Sequence, residues 1–143
     1  MHSALALGLL SATGAFAQSY TLFDNYNGSH FFDKFDFWTG ADPTDGFVDF
    51  LNYEDAKKYG LVANPSVPNW GVDHTNTLET NNATGRASVR LVSTATYNHG
   101  LFIADINHMP GSICGVWPAF WFLGGGVWYD LTWLIIGTYV TLM

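Results

Sequence analysis

From Gln18 onward no stretch of the chain sustains a helical period. Apolar residues come instead in short β-favouring runs broken by Gly, Pro, Asn and Asp. That punctuation confines the chain to an all-β architecture, and neither an internal repeat nor a low-complexity linker interrupts it. The material for a core is aromatic: Phe, Trp and Tyr make up 17% of the residues and charged side chains only 12%. A disordered acidic tail and a charge-laced coiled coil are both excluded by that balance. The net charge of -7, from 5 basic and 12 acidic residues, excludes a nucleic-acid surface that works by neutralising phosphates. At 143 residues the chain is short for a β sandwich, a class that often needs roughly 200 to 250.

Several strands can be placed by pattern. Tyr20 to Phe23 and Phe31 to Trp38 are aromatic and strand-like, the second partly alternating. Asp42-Pro43-Thr44-Asp45-Gly46 reads as a turn in which Pro fixes φ and Gly46 is free to take positive φ, after which Phe47 to Leu51 resumes a strand. One helical turn follows, with Asn52 as N-cap, Glu54 and Asp55 in the first turn, Lys57 and Lys58 near the end and Gly60 as the stop. Asp73 to Asn82 is a polar stretch. In Ser88 to Tyr97, Val89, Leu91, Ala95 and Tyr97 share one face while Arg90, Thr94 and Thr96 share the other, the period of a sheet buried on one side. Leu101 to Ile106 is more uniformly apolar and suits an inner strand.

The ends of the chain carry different signals. Ala4 to Ala17 is small and apolar, too short to span a bilayer, and closes on Ala15-Phe16-Ala17, so residues 1–17 are expected to be a secretory signal and the mature chain to start at Gln18. Secretion fits two glycosylation acceptors, Asn27 in Asn27-Gly28-Ser29 and Asn82 in Asn82-Ala83-Thr84. The single Cys114 is odd in an oxidising compartment and reads as either half of a bridge or a buried inert thiol. Gly124-Gly125-Gly126 reads as a flexible joint, and the tail from Val127 to Met143 is apolar apart from Asp130 and a few hydroxyls. With a carboxylate inside seventeen residues, that tail is not expected to form a stable membrane span; a buried strand is the other reading.

Gly115 to Gly124 packs two Trp and two Phe into ten residues. Core packing accounts for such a run, but Trp117 and Trp121 share parity if it is extended and can line one face of a groove. Indole faces stack on the C–H surfaces of sugar rings, and a polar neighbour such as Arg90 can bond the hydroxyls. His30, His74, His99 and His108 lack metal-ligand spacing, and neither a Gly-x-Ser-x-Gly elbow nor a phosphate loop is present, so no metal or cofactor is expected.

The succession Asp42-Pro43-Thr44-Asp45-Gly46-Phe47-Val48, Gly71-Val72-Asp73-His74, Gly85-Arg86-Ala87-Ser88-Val89-Arg90, His108-Met109-Pro110, Cys114-Gly115 and Trp117-Pro118-Ala119-Phe120-Trp121 resembles the N-terminal part of glycoside hydrolase family 16, in the secreted fungal endo-1,3(4)-β-glucanase or laminarinase branch. The resemblance runs from about Tyr20 to Gly124, so 18–124 is assigned to that domain and 125–143 to a divergent tail. It implies an incomplete, concanavalin A-like β-jelly-roll sandwich whose concave sheet holds a laminarin-like β-glucan. It also implies that Arg90 and Trp121, with Trp117 beside them, contact sugar, and that Cys114 is half of a disulfide whose partner lies further along.

The same resemblance predicts what should come next. In the family the Trp-Pro-Ala-Phe-Trp segment is followed by a strand carrying Glu-x-Asp-x-x-Glu, which supplies the nucleophile and the acid/base of a retaining glycosidase. That chemistry needs two carboxyls about 5 to 5.5 Å apart. Here Gly124 to Met143 holds Asp130 as its only carboxylate, and the whole chain has two Glu, Glu54 and Glu79, both in turn-like polar segments. Asp45 and Asp49 read as a turn former and an exposed strand residue. Asp105 sits in an apolar run, where a carboxylate must be paired, and reads as structural. The expectation is a domain fragment truncated or misread before its catalytic strand, with no catalytic residue of its own; the alternative is a non-catalytic β-glucan-binding or secreted interaction protein.

Overall fold

The computed structural model describes residues 18–78, 84–111 and 113–124, and the backbone of 132–140. The expected signal segment, residues 1–17, and Glu79, Asn82 and Asp130 lie outside the described residues. Along the chain come β1 (Phe35–Phe37), β2 (Val48–Phe50), helix α1 (Tyr53–Lys58), β3 (Val62–Ala63), β4 (Asn69–Trp70), β5 (Arg86–Ser88), β6 (Arg90–Tyr97), β7 (Val116–Gly124) and β8 (Thr132–Val140). The principal sheet has the order β1-β6-β8-β7; β2 and β5 form a parallel pair, β3 and β4 an antiparallel one.

The aromatic run at Phe31 departs from its expected form. Residues Phe32–Lys34 make a 3-10 turn and only Phe35–Phe37 is strand. A 3-10 turn eclipses positions three apart, which brings Phe32 round to the side of Phe35, so that with Phe31 all three enter one core, which strict alternation would forbid. Phe31 meets Phe32 edge-on and stacks on Trp70 at 5.2 Å. Ala56, Leu61, Val62, Val89 and Leu91 complete that core. Tyr20 to Phe23 forms no strand, and Leu22 and Phe23 stand exposed.

Helix α1 forms as its caps dictate. The Asn52 side chain accepts from the Asp55 N–H at 3.0 Å, and Gly60 ends the segment at φ +71°. Its inward anchor is the fully buried Ala56. In the turn after Trp38 the left-handed residue is Asp45, at φ 56°, rather than Gly46. The Gly46 N–H is instead drawn onto Asp42 Oδ2 at 2.9 Å, and the neighbouring Thr44 hydroxyl bonds the same oxygen. Aspartate tolerates that backbone region better than most residues.

The Ser88 to Tyr97 run is divided at Val89, where the chain leaves the β2–β5 pair and enters the principal sheet. Around this crossing both faces are covered: Val89 and Leu91 are wholly buried, and so are Ser88, Arg90 and Ser93. One-sided burial fails here because Trp38, Phe50, Trp121 and Asp42 gather over Arg90 on the face opposite the core. Further on, the β6–β8 register shifts between Val92 and Thr96, and Ser93 Oγ donates to the Ala95 carbonyl at 2.7 Å within that irregularity.

Leu101 to Ile106 is not an inner strand. All six residues are exposed, Ile103 by 85%, and Asp105 is solvated rather than buried. An apolar run signals a demand for burial; here Phe102 meets Tyr97 at 5.3 Å and Phe122 at 4.6 Å, and the run as a whole stays exposed. The tail does pair: β8 lies between β6 and β7, continuously paired with β7 and paired with β6 on either side of the register shift. Cys114 is a free, exposed thiol, so the chain itself provides neither the buried site nor the bridge considered for it.

Candidate functional site: an arginine set among aromatic rings

The site is organised by a single rung of the sheet. Arg90 of β6 pairs with Gly137 of β8, and Gly137 pairs with Ala119 of β7. Side chains on one rung share a face, so the two positions beside Arg90 are filled by the two smallest residue types. A long side chain can therefore lie across the sheet. Trp117 and Trp121 flank Ala119 by two residues on either side, on the same face and about 13 Å apart along the strand. Phe120, of opposite parity, packs against the core instead.

Arg90 is 5% exposed and its guanidinium carbon lies 5.2 Å from the Trp38 ring, 5.9 Å from Phe50 and 5.9 Å from Trp121. Three rings thus share one cation, an arrangement whose attraction strengthens as water is excluded. Trp38 is held by the chain bending back beneath it: a Cβ on Gly40 would stand 2.8 Å from the indole, so only glycine permits this approach. The Asp42 carboxylate faces the guanidinium at 3.8 Å, both side chains nearly solvent-free. Over this cluster opens a cavity of about 380 Å³, walled by Asp42, Pro43 and Thr44 on one side and by Trp117 to Trp121 on the other. Its lining is apolar with a few polar groups, as in sites for small organic ligands.

Arg90, Trp117 and Trp121, singled out from the sequence, are therefore brought to one cavity. Asp42 on the cavity wall was missed, and so were Trp38 and Phe50, which lie against the Arg90 guanidinium. Asp42 was read as a turn residue, and its turn role conceals its second oxygen. The aspartates considered for catalysis do not gather: Asp45 and Asp105 are exposed, Asp49 is half-buried on β2, and Glu54 is exposed on α1. Asn27 is exposed beside the left-handed Gly28.

Two other carboxylates are built into the scaffold. Asp73 is buried, which alone would raise its pKa, but the Thr75 N–H and hydroxyl and the Asn76 N–H all bond Oδ1 and bring it down to about 2. Arg86 donates to the Asp73 and Asn76 carbonyls, tying this loop to β5. Asp24 is lowered mainly by its bond to the Lys34 ammonium, with Tyr97 as a further donor.

Comparison with solved structures places the chain among the β-jelly-roll sandwiches. It is similar to an elongating GH family 16 β-1,3-glucosyltransferase, with a TM-score of 0.70 and 52% identity over 76% of this chain and 37% of that one. It is also similar to Laminarinase 16A from Phanerochaete chrysosporium, solved with β-glucans in donor and acceptor sites, with a TM-score of 0.65 and 36% identity over 75% of this chain and 36% of that one. The family model for the XgeA-like, catalytic GH16 domain matches residues 35–130, and the chain belongs to glycoside hydrolase family 16.

Relatives include a probable endo-1,3(4)-beta-glucanase of Aspergillus niger, 52% identical over 77% of this chain and 15% of the relative. An endo-1,3(4)-beta-glucanase of Arthroderma benhamiae is 43% identical over 82% of this chain and 25% of its own length. The chain thus spans a quarter or less of these relatives.

Proposed function

We propose that this chain holds the glucan-gripping part of an endo-1,3(4)-β-glucanase-type domain, and that as written it binds β-1,3-glucan without hydrolysing it. The observation that carries this reading is the cavity in which Arg90, Trp117 and Trp121 converge. Indole faces offer platforms for the apolar faces of glucose rings, and the guanidinium offers donors for hydroxyls. The relative solved with β-glucans bound supports the ligand class.

Hydrolysis with retention needs a carboxylate to attack the anomeric carbon and a protonated carboxyl to release the leaving oxygen, about 5 to 5.5 Å apart. The Glu-x-Asp-x-x-Glu pattern is absent from the sequence, and Glu54 points to solvent on α1. The catalytic reading returns wherever a longer product supplies that strand. We further propose that residues 1–17 direct export, that Asn27 and Asn82 carry glycans, and that 18–124 is the family portion, with 125–143 a divergent tail.

The test uses purified secreted chain and laminarin. Retardation in a laminarin-containing native gel, abolished by Trp121→Ala, is expected, together with no new reducing ends above a buffer control. Absence of retardation overturns the binding reading. Turnover that survives repurification and vanishes in Asp105→Asn or Asp130→Asn overturns the claim of inactivity.

A further inference from the structure

Two places in the sequence set an amide or a carboxylate side chain directly before a glycine, Asn27–Gly28 and Asp45–Gly46. At such a pair the glycine nitrogen can close a five-membered ring onto the side-chain carbonyl carbon, since glycine has no Cβ to obstruct the approach. The structure treats the two pairs oppositely. The Gly46 N–H is held by Asp42 Oδ2 at 2.9 Å, and the Asp45 N–H by the Asp42 carbonyl at 3.1 Å. At the other pair Asn27 is exposed, and among the described residues neither its carbonyl nor the Gly28 N–H enters a hydrogen bond. Gly28 stands at φ +69° with open space where a Cβ would be.

The chain is fastened on both sides of this peptide unit. Tyr26 is bonded through its hydroxyl to Tyr97, and the Gly28 carbonyl accepts from the Phe31 N–H at 3.2 Å and from the Asn64 amide at 2.6 Å. Between those anchors the unit joining Asn27 to Gly28 is free to turn, because glycine accepts either sign of φ. We propose that Asn27 is a site of spontaneous deamidation in the folded chain. The Gly28 nitrogen gives its proton to solvent and attacks Asn27 Cγ. As the N–Cγ bond forms, the Cγ–Nδ2 bond breaks and the amide nitrogen leaves as ammonia, taking a proton from water. Water then opens the succinimide, at Cγ to give aspartate or at the main-chain carbonyl carbon to give isoaspartate. One water enters, one ammonia leaves, and nothing is oxidised or reduced.

Isoaspartate lengthens the main chain by one carbon between the Tyr26 and Gly28 anchors. A copy that has lost the amide also accepts no N-glycan at Asn27; that link rests on the glycan reading above, whereas the reaction does not. The test uses the full chain carrying Ser29→Ala, an exposed position whose change removes the acceptor triplet and leaves Asn27–Gly28 intact. Folded and guanidinium-unfolded samples are held in mildly alkaline buffer and followed by peptide mass spectrometry. The tryptic peptide ending at Lys34 contains both Asn25 and Asn27, so Asn25, which precedes Tyr26, is an internal reference. The gain of about 1 Da is expected at Asn27 at least tenfold faster than at Asn25. The folded rate should lie within about fivefold of the unfolded one, since no structure has to open first. Isoaspartate at Asp45 should appear only after unfolding frees the Gly46 N–H.

An Asn27 that reacts no faster than Asn25, or that is protected by folding beyond that margin, overturns the proposal. Isoaspartate forming at Asp45 as fast in the folded sample as in the unfolded one does so too, since it removes the contrast between the two glycines. Secreted wild-type chain without a glycan on Asn27 refutes the glycan reading, while the Ser29→Ala chain still decides the reaction.

Discussion

The Tyr97 hydroxyl donates to Asp24 Oδ2 at 2.7 Å, joining the leading segment to the end of β6 across 73 residues. Tyr26 bonds Tyr97 oxygen to oxygen at 2.6 Å, and because Tyr97 gives its proton to the carboxylate, Tyr26 is the donor of that second bond. Lys34 completes the knot with bonds to Asp24 and to the Asn25 carbonyl, while its ammonium sits 5.0 Å from the Tyr26 ring centre. Sequence patterning gave no sign of this knot. It replaces the strand expected at Tyr20 to Phe23 as the means by which residues 24–34 are fastened to the sheet.

Removing the Tyr97 hydroxyl leaves Tyr26 and Asp24 without their shared partner. Tyr97→Phe is expected to destabilise the chain by about 1 to 2 kcal/mol, measured by chemical denaturation. Burial, then the bonds to Tyr26 and Asp24, push the Tyr97 pKa well above its ordinary value of 10.0. The folded-state value is raised, so its stabilisation is whole below that ordinary value and drains away as pH climbs toward the folded one. In an ultraviolet titration one tyrosine should therefore resist ionisation until the chain unfolds.

Asp73 sets the behaviour in acid. Its folded pKa is about 2 against an ordinary 3.8, so the stabilisation is complete above the ordinary value and is lost as pH falls through the folded one. The contribution near neutrality is about 2 kcal/mol. Asp73→Asn should lower the melting temperature at pH 6 and flatten the fall in stability between pH 4 and 2. A pH profile that keeps its slope in the variant would assign the acid sensitivity elsewhere.

The exposed apolar residues among 101–109, with Ile113, should make the chain sticky. Leu101, Ile103 and Ile113 are 58%, 85% and 64% exposed, and apolar surface of this kind drives association. The chain is expected to bind 1-anilinonaphthalene-8-sulfonate and to self-associate with rising concentration. Ile103→Lys with Ile113→Lys should suppress both without moving the melting temperature, as followed by light scattering.

Local chemistry was legible where it is local. The Asn52 cap, the Gly60 stop and the strand after Gly46 follow from neighbours within a few residues, and these formed as read. The parity of Trp117 and Trp121 likewise needed only an extended β7. Whatever depended on what lies above or below a segment was not legible. Phe31 to Trp38 alternates in sequence, yet the demand for three rings in one core favours a helical turn at its start. Ser88 to Ser93 alternates too, yet the layer above Arg90 buries its polar face as well. Asp42 was hidden for a different reason, since its role in a turn already accounts for an aspartate at that position.

A last expectation concerns two glycines that the sequence treats alike. A Cβ at Gly85 would stand 2.3 Å, 2.4 Å and 2.5 Å from backbone atoms of Val48, with no flexible side chain to yield. That contact lies where β5 enters its parallel pairing with β2, through Val48 opposite Arg86, and the Arg86 N–H bonds the Phe47 carbonyl beside it. Gly85→Ala must therefore push the two backbones apart and stretch this bond. The cost should be about 3 kcal/mol, at the upper end for overpacking because backbone rather than a side chain has to move. At Gly71 nothing lies within 4 Å of a new Cβ and φ is outside the left-handed region. Gly71→Ala should be neutral or stabilise by up to about 1 kcal/mol through a less flexible unfolded chain. Denaturation of the two variants side by side separates the effects, and equal losses at both positions would show that β2 and β5 are not closely paired in solution.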